Sequence, residues 1–173
     1  LEYIHPFYDG NGRLGRFILS YCISELLEPI LAYRISETIK ENVKWYYDSF
    51  NICNDPKNLG DLTPFLIMML TMIDTSGKEL ERKRVSWVRY GKKIREICPN
   101  SGGKEEIFYN MLIQAAIFSE LGISMAELKT YLDLSESTVR KYLNAAREKD
   151  LLVMHKNGRQ FYYQINTETL DLS

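Results

Sequence analysis

The sequence has few cysteines, few histidines and no long hydrophobic run. Its three cysteines, Cys22, Cys53 and Cys98, stand far apart in 173 residues. They indicate neither a disulfide framework nor a zinc knuckle, and a reducing cytoplasm is the simplest location. The longest apolar run, residues 64–73, is too short to span a bilayer, and residues 1–5 do not resemble a signal peptide, so we expect no membrane partner. The formal net charge of −1 excludes a general attraction to nucleic acid, although a local basic cluster can still bind it.

What the sequence does contain is a short segment rich in reactive and flexible residues. Residues 5–16 read His-Pro-Phe-Tyr-Asp-Gly-Asn-Gly-Arg-Leu-Gly-Arg. Gly10, Asn11 and Gly12 restrict the backbone little, so successive N–H groups can converge on one anion. The apolar pattern turns helical from Arg13 onward, and a helix that begins there adds its positive end. This part of the chain is therefore a candidate phosphate cradle.

Charged and titratable side chains flank that cradle. Arg13 and Arg16 are three residues apart on the predicted helix, and their guanidinium groups suit phosphate oxygens. Asp9 is an oxygen ligand placed for Mg²⁺ that bridges phosphates. His5 has a pKa near neutrality and can take a proton from an incoming hydroxyl. Each feature alone is common in turns and on helix surfaces, but the combination at this spacing favours phosphoryl or nucleotidyl transfer.

The segment resembles the Fic family signature, His-x-Phe-x-(Asp/Glu)-Gly-Asn-Gly-Arg-x-x-Arg, and matches it at every fixed position. The resemblance implies an enzyme that transfers AMP from Mg²⁺-ATP to a Ser, Thr or Tyr hydroxyl of a target protein. It implies that His5 is the general base, that Asp9 holds Mg²⁺ and that Phe7 is the buried anchor of the loop. It also implies a set of phosphate ligands, which are Gly10, Asn11, Gly12, Arg13 and Arg16.

Two further features of the resemblance limit the prediction. Doc-type relatives, which phosphorylate their targets, replace the second glycine of the loop with a larger basic residue, so Gly12 favours transfer of AMP. Fic domains carry several helices and a target-docking flap before this loop, and neither these nor an inhibitory helix is recognisable in the sequence. We therefore expect either a longer protein or a truncated form, inactive alone. The outer face of the loop helix is then apolar surface, for which we expect burial in a homo-oligomer.

The fold class expected from the sequence is mainly α. We expect the C-terminal part of an all-α Fic domain in residues 1–77, a basic connecting helix in 78–98 and a linker in 99–103. A winged helix-turn-helix domain is expected in 104–173. Within the first part, helices are predicted from Arg13, over Ser36 to Phe50 and from Thr63 through Ile73. The resemblance further suggests that Tyr46-Tyr47 helps to wall the nucleotide pocket.

The last seventy residues suggest a DNA-binding layout. Three predicted helices, the second and third started by Ser124 and Ser135, precede a hairpin with a turn at Asn157-Gly158. The possible nucleic-acid contacts are Ser137, Thr138, Arg140, Lys141, Arg147, Lys156 and Arg159. Because residues 104–173 carry eight basic and ten acidic side chains, a protein-docking or dimerisation role stays open. The alternative to a transferase is thus a DNA-binding regulator whose Fic part is a scaffold or nucleotide sensor.

Overall fold

The computed structural model of the protein describes residues 6–172, which are mainly helical, as predicted. Contacts divide the chain into two compact units, one ending at Glu81 and one beginning at Arg82. The elements, in chain order, are α1 (Asn11–Leu26), α2 (Pro29–Glu41), α3 (Val43–Asn54), a 3-10 helix (Pro56–Asn58), α4 (Thr63–Ile97), α5 (Lys104–Phe118), β1 (Ile123–Ser124), α6 (Met125–Leu132), α7 (Glu136–Glu148), β2 (Leu152–Asn157), β3 (Gln160–Ile165) and α8 (Thr167–Leu172).

The core of the N-terminal unit forms where α1, α2, α3 and the first part of α4 meet. Its buried hydrophobic residues are Ile23, Ala32, Ile35, Ile39, Tyr46, Met68, Met69 and Met72. A buried hydrogen bond of 2.8 Å joins the hydroxyls of Thr38 and Ser76, which connects α2 to α4. The Arg34 guanidinium makes an ion pair with Glu79 between the same two helices. These contacts join α2 to α4, and α1 packs against α2.

Two helices differ from their predicted bounds. The helix expected over Ser36 to Phe50 is two helices, because Asn42 leaves helical geometry at φ −114° and ψ 33°. The helix expected from Thr63 through Ile73 and the basic helix expected over 78–98 are one continuous helix, α4, from Thr63 to Ile97, which contains Gly77. A glycine inside a helix costs only about 1 kcal/mol relative to alanine. The buried Thr38–Ser76 contact at the adjacent turn is enough to offset that cost.

The C-terminal unit places α5, α6 and α7 around a small antiparallel sheet of order β1-β3-β2. The predicted hairpin is confirmed, since Met154 pairs with Tyr163 and Asn157 with Gln160. Its two-residue loop is Gly158-Arg159, one position later than predicted, and Gly158 takes a positive φ of 60°. The strand β1, which pairs Ile123 with Tyr163, was not predicted.

The core of this unit extends beyond the predicted linker at 99–103. Tyr90, Ile94 and Cys98 are buried together with Phe108 and Leu112 of α5. The division between compact units therefore falls within α4, and the end of the basic helix belongs to the C-terminal unit. The reason is that Tyr90, Ile94 and Cys98, spaced four residues apart, lie in one buried cluster with residues of α5. Within residues 6–172, no helix is long and apolar enough to cross a membrane.

Candidate functional site

The loop before α1 is closed by the side chain of Asn11. The Asn11 amide nitrogen donates to the carbonyl oxygen of Phe7 at 2.5 Å, and its amide oxygen accepts from the Phe7 N–H at 3.0 Å. Asn11 is only 3% exposed, so its amide group is shielded from solvent, whereas Phe7 is exposed. The backbone N–H and the carbonyl group of Phe7 are thereby both bonded to the side chain of Asn11, the first residue of the helix. The residues between them, 8–10, form a tight loop at the helix start.

The start of α1 is open to a ligand. Gly10 is the residue before the helix and has a φ of 88°, a left-handed conformation that favours glycine. Gly10 has no side chain that could cap α1, and within residues 6–172 no side-chain cap of this helix is seen, whereas serine hydroxyls cap α6 and α7. The N–H groups of a first helical turn and the positive end of the helix together bind anions. The loop residues Gly10, Asn11 and Gly12 therefore have the backbone arrangement expected of a phosphate cradle.

Two arginines lie against the glycines of this loop. A Cβ atom added at Gly12 would be 3.5 Å from Nη1 of Arg16, and one added at Gly10 would be 3.7 Å from Nη2 of Arg13. Arg13 also makes an ion pair with Asp9 at 3.0 Å, in which both side chains are mostly exposed. Asp9 further accepts a hydrogen bond of 2.6 Å from the Gly10 N–H. The predicted phosphate and metal ligands thus surround one loop, with Arg13 and Asp9 neutralising each other.

Two predicted site residues need separate comment. His5, the predicted base, lies outside the described residues. Phe7, the predicted buried anchor, has a side chain that is 53% exposed, so that prediction is wrong for the described part of the chain. The reason is that the loop is fixed through the backbone of Phe7, by the Asn11 amide, and needs no burial of the phenyl ring. The signal for this is Asn11 itself, a short amide side chain that readily bonds nearby backbone groups.

Two cavities lie beside α1 within the N-terminal unit. The larger, of about 810 Å³, is bordered by Gly15, Ile18 and Cys22 of α1 and by Tyr46, Phe50 and Cys53 of α3 among others. The smaller, of about 540 Å³, adjoins the loop through Arg16. Its remaining lining includes Ser20, Lys40, Tyr46 and Tyr47. Both volumes fall in the usual range for small-molecule sites. The sequence pointed to the two tyrosines but gave no signal for Lys40 or the cysteines.

The described residues contain no cluster of three or more His, Cys, Asp or Glu side chains that could hold a metal ion. A magnesium ion that accompanies a nucleotide needs less, since it binds one or two carboxylates and takes its remaining oxygens from phosphates and water. The exposed Asp9 carboxylate at the loop fits that donor set once it separates from Arg13.

The candidate nucleic-acid contacts lie in the C-terminal unit, on α7 and the β2–β3 hairpin. Six of them are exposed, which are Ser137, Arg140, Lys141, Arg147, Lys156 and Arg159. Thr138 is half-buried, and its hydroxyl is 2.9 Å from that of Ser135.

Arg140 is exposed but already paired. Its guanidinium donates to Glu136 at 2.7 Å, and Lys129 lies 3.7 Å from the same carboxylate. Hydrogen bonding and charge from Arg140, with a smaller effect of Lys129, hold the pKa of Glu136 below its ordinary value. The acid therefore stays ionised and offsets part of the positive charge at the start of α7. Neither Glu136 nor Lys129 was predicted, although the Glu–Arg spacing of four residues on a helix indicates the pair.

Comparison with known protein families adds one finding. The model of the Fic/DOC family matches residues 1–23. This segment covers the loop and most of α1, and it includes the two arginines that lie against the loop glycines. The match supports the general transferase chemistry of that family for the loop region.

Proposed function

We propose that the protein transfers AMP from ATP to a hydroxyl group of a target protein. The observation that carries the proposal is the arrangement of residues 7–16. The start of α1 has no side-chain cap, and the guanidinium groups of Arg13 and Arg16 lie against Gly10 and Gly12. The absence of a side chain at Gly12 leaves the space beside Arg16 open, and a long basic side chain there would displace that guanidinium. This feature favours nucleotidyl over phosphoryl transfer.

The N–H groups of the first turn of α1 and the side chains of Arg13 and Arg16 are the proposed phosphate ligands. Arg13 must exchange its Asp9 partner for a phosphate oxygen when ATP binds. Both side chains are largely exposed, so the pair that breaks contributes little, about 0–1 kcal/mol. Asp9 is then the proposed ligand of Mg²⁺, which when bound offsets phosphate charge.

In the proposed reaction one bond between phosphorus and oxygen forms and one breaks. The acceptor hydroxyl gives its proton to His5, and its oxygen bonds to the α-phosphorus of ATP. The bond from that phosphorus to the oxygen between the α- and β-phosphates breaks, which releases pyrophosphate. The role of His5 rests on the family resemblance. Arg16, held over the loop at Gly12, is placed to stabilise the charge that develops on the departing pyrophosphate.

We assign the nucleobase to the larger cavity. It borders the same helix as the phosphate loop, and Tyr46 and Phe50 offer aromatic faces to a base. Cys22 and Cys53 also line this cavity, which gives a direct test. Saturating Mg²⁺-ATP should slow alkylation of both thiols, and should leave the slow alkylation of the buried Cys98 in the other unit unchanged as an internal reference. Unchanged alkylation of Cys22 and Cys53 at saturating ATP would contradict the assignment.

The enzymatic proposal is tested by the position of the label that reaches protein. ATP labelled at the α-phosphate should label a target in cell lysate, or the protein itself, whereas ATP labelled at the γ-phosphate should not. His5→Ala should abolish the transfer. His155→Ala is the matched control, because the only other histidine lies on the β2–β3 hairpin in the other unit. Equal loss in both variants would show that the assay reports folding rather than catalysis.

A second candidate function is DNA binding by the C-terminal unit. The order helix, strand, two helices and hairpin is that of a winged helix-turn-helix, and Lys141 and Arg159 are exposed on the helix and the hairpin loop that such domains apply to DNA. The paired Glu136 and Arg140 weaken this candidate. Binding to duplex DNA that falls with rising salt, and that weakens in Lys141→Gln, would support it. No binding at low salt would leave protein contact as the role of this unit.

A further inference from the structure

A buried polar group without a partner among the described residues lies in the C-terminal unit, on an element that the proposed transferase site does not use. Tyr109 on α5 is 1% exposed, and among the described residues its hydroxyl is a buried side-chain atom with no hydrogen-bond partner. Such groups are rare in proteins because they lose water without replacement. Burial, and then the neighbouring Cys98, raise the pKa of this hydroxyl, so it stays protonated and remains a donor. The site therefore lacks a hydrogen-bond acceptor.

The thiol of Cys98 belongs to the same buried cluster as Tyr109 and is contacted by a cationic donor. Cys98 directly follows α4 and is 4% exposed. The ammonium group of Lys149, at the end of α7, is 3.1 Å from the Cys98 sulfur. The Tyr109 hydroxyl, which neighbours Cys98, makes no hydrogen bond to the thiol. One cationic donor thus contacts a sulfur atom that is a weak acceptor, and an uncharged donor nearby has no acceptor.

We propose that Cys98 is a site of reversible oxidation, whose sulfenic acid is held by Lys149 and Tyr109. The sulfur attacks one oxygen of a peroxide, the O–O bond breaks, and the thiol and hydrogen peroxide become a sulfenic acid and water. Sulfur is oxidised by two electrons and the peroxide is reduced. The added oxygen is the acceptor that the site lacks, since it can take hydrogen bonds from the Tyr109 hydroxyl and the Lys149 ammonium.

Burial also decides what happens to the product. Sulfenic acids normally condense with a second thiol or are oxidised further. Cys98 is the only cysteine of the unit that begins at Arg82, and its low exposure slows approach of another molecule. Lys149, whose ammonium group contacts the sulfur, is itself exposed, so its side chain can move aside for a small peroxide. The structure thus favours a persistent single oxygenation. This inference does not depend on the proposed transferase activity.

The test is oxidation of the whole chain with hydrogen peroxide, followed by removal of peroxide and unfolding in the presence of dimedone, which captures sulfenic acids. We expect peptide mass spectrometry to find dimedone on Cys98, and none there when the protein is unfolded in a reducing thiol before dimedone is added. The exposed Cys22 provides the comparison, because its sulfenic acid has no such protection. Absence of dimedone on Cys98 after Cys22 has been oxidised would overturn the proposal.

Variants test whether the Cys98 sulfenic acid is stabilised by hydrogen bonds from Tyr109 and Lys149. Tyr109→Phe removes only the hydroxyl and Lys149→Met only the ammonium, and both should lose most of the capture at Cys98. Lys141→Met, an exposed lysine on the same helix, is the matched control and should keep the wild-type yield. Circular dichroism of each variant verifies that it is folded. Wild-type yields in both Tyr109→Phe and Lys149→Met would also overturn the proposal.

Discussion

Replacing Asn11 by alanine tests how the loop before α1 is held. The substitution removes the two hydrogen bonds to the Phe7 backbone, of 2.5 and 3.0 Å, while alanine preserves helix propensity at the start of α1. We expect the fold of the N-terminal unit to survive, because its core lies elsewhere. The loop 7–10 should lose its fixed geometry, and with it the proposed phosphate site.

The free-energy cost of Asn11→Ala depends on whether water can reach the backbone groups that lose their hydrogen bonds. A hydrogen bond contributes about 1 kcal/mol net, and a buried group left unpaired costs about 1–3 kcal/mol. Asn11 is buried, but the Phe7 side chain is 53% exposed, so water can take over the Phe7 backbone groups after the substitution. We therefore expect the lower end of the range, a loss of about 1–2 kcal/mol in loop ordering. If ATP binding must restore that order, its dissociation constant should rise about 5- to 30-fold.

Amide hydrogen exchange and ATP titration measure the two effects separately. Exchange should accelerate in residues 7–14 and stay unchanged in α2 and α3. Asn42→Ala is the matched control, because it removes an asparagine side-chain hydrogen bond of 2.9 Å from the same unit at a distance in sequence from the loop. The explanation is refuted if Asn11→Ala binds ATP as wild type does, or if Asn42→Ala weakens binding equally.

Three predictions concern the two cores and one helix start. Thr38→Val should destabilise the N-terminal unit by about 1–3 kcal/mol in urea unfolding, since it leaves the buried Ser76 hydroxyl unpaired; an unchanged midpoint would contradict this. Leu112→Ala, at a site 0% exposed, should cost the C-terminal unit about 2–5 kcal/mol, with exposed Leu172→Ala as a silent control. The pKa of Glu127 is lowered by the Ser124 hydroxyl and backbone N–H, so its stabilisation is present above pH 4.5 and lost as pH falls through the depressed value. Glu127→Gln should flatten that acid limb, and an unaltered limb would show that the cap is not its source.

Much of the helical layout could be predicted, because its signals are local. Pro29 begins α2, Ser124 and Ser135 cap the helices that follow them, and a positive-φ glycine turns the hairpin. Where the prediction was wrong, a tertiary contact outweighed a local signal. The composition changes after residue 77 and suggested a separate basic helix, but α4 is continuous there, and its buried Ser76 bonds to Thr38 of α2.

The phosphate loop was predictable in composition but not in detail. The spacing of Gly10, Gly12 and Arg16 follows from the sequence, and the structure brings them together. That Phe7 is exposed, and that Asn11 fixes the loop through backbone atoms, could not be read from residue types. The burial of a side chain depends on which elements pack over it, and no local pattern encodes that. The same holds for the cavity beside α1, whose walls come from helices far apart in sequence.

The most direct test of the central claim is the fate of the α-phosphate. Full-length protein, Mg²⁺ and ATP labelled at either the α- or the γ-phosphate are incubated with cell lysate. The proposal predicts that label from the α-phosphate alone becomes attached to protein, that pyrophosphate is released, and that His5→Ala stops both while His155→Ala stops neither. Labelling from the γ-phosphate, or none from either position by a protein that binds ATP, would contradict it.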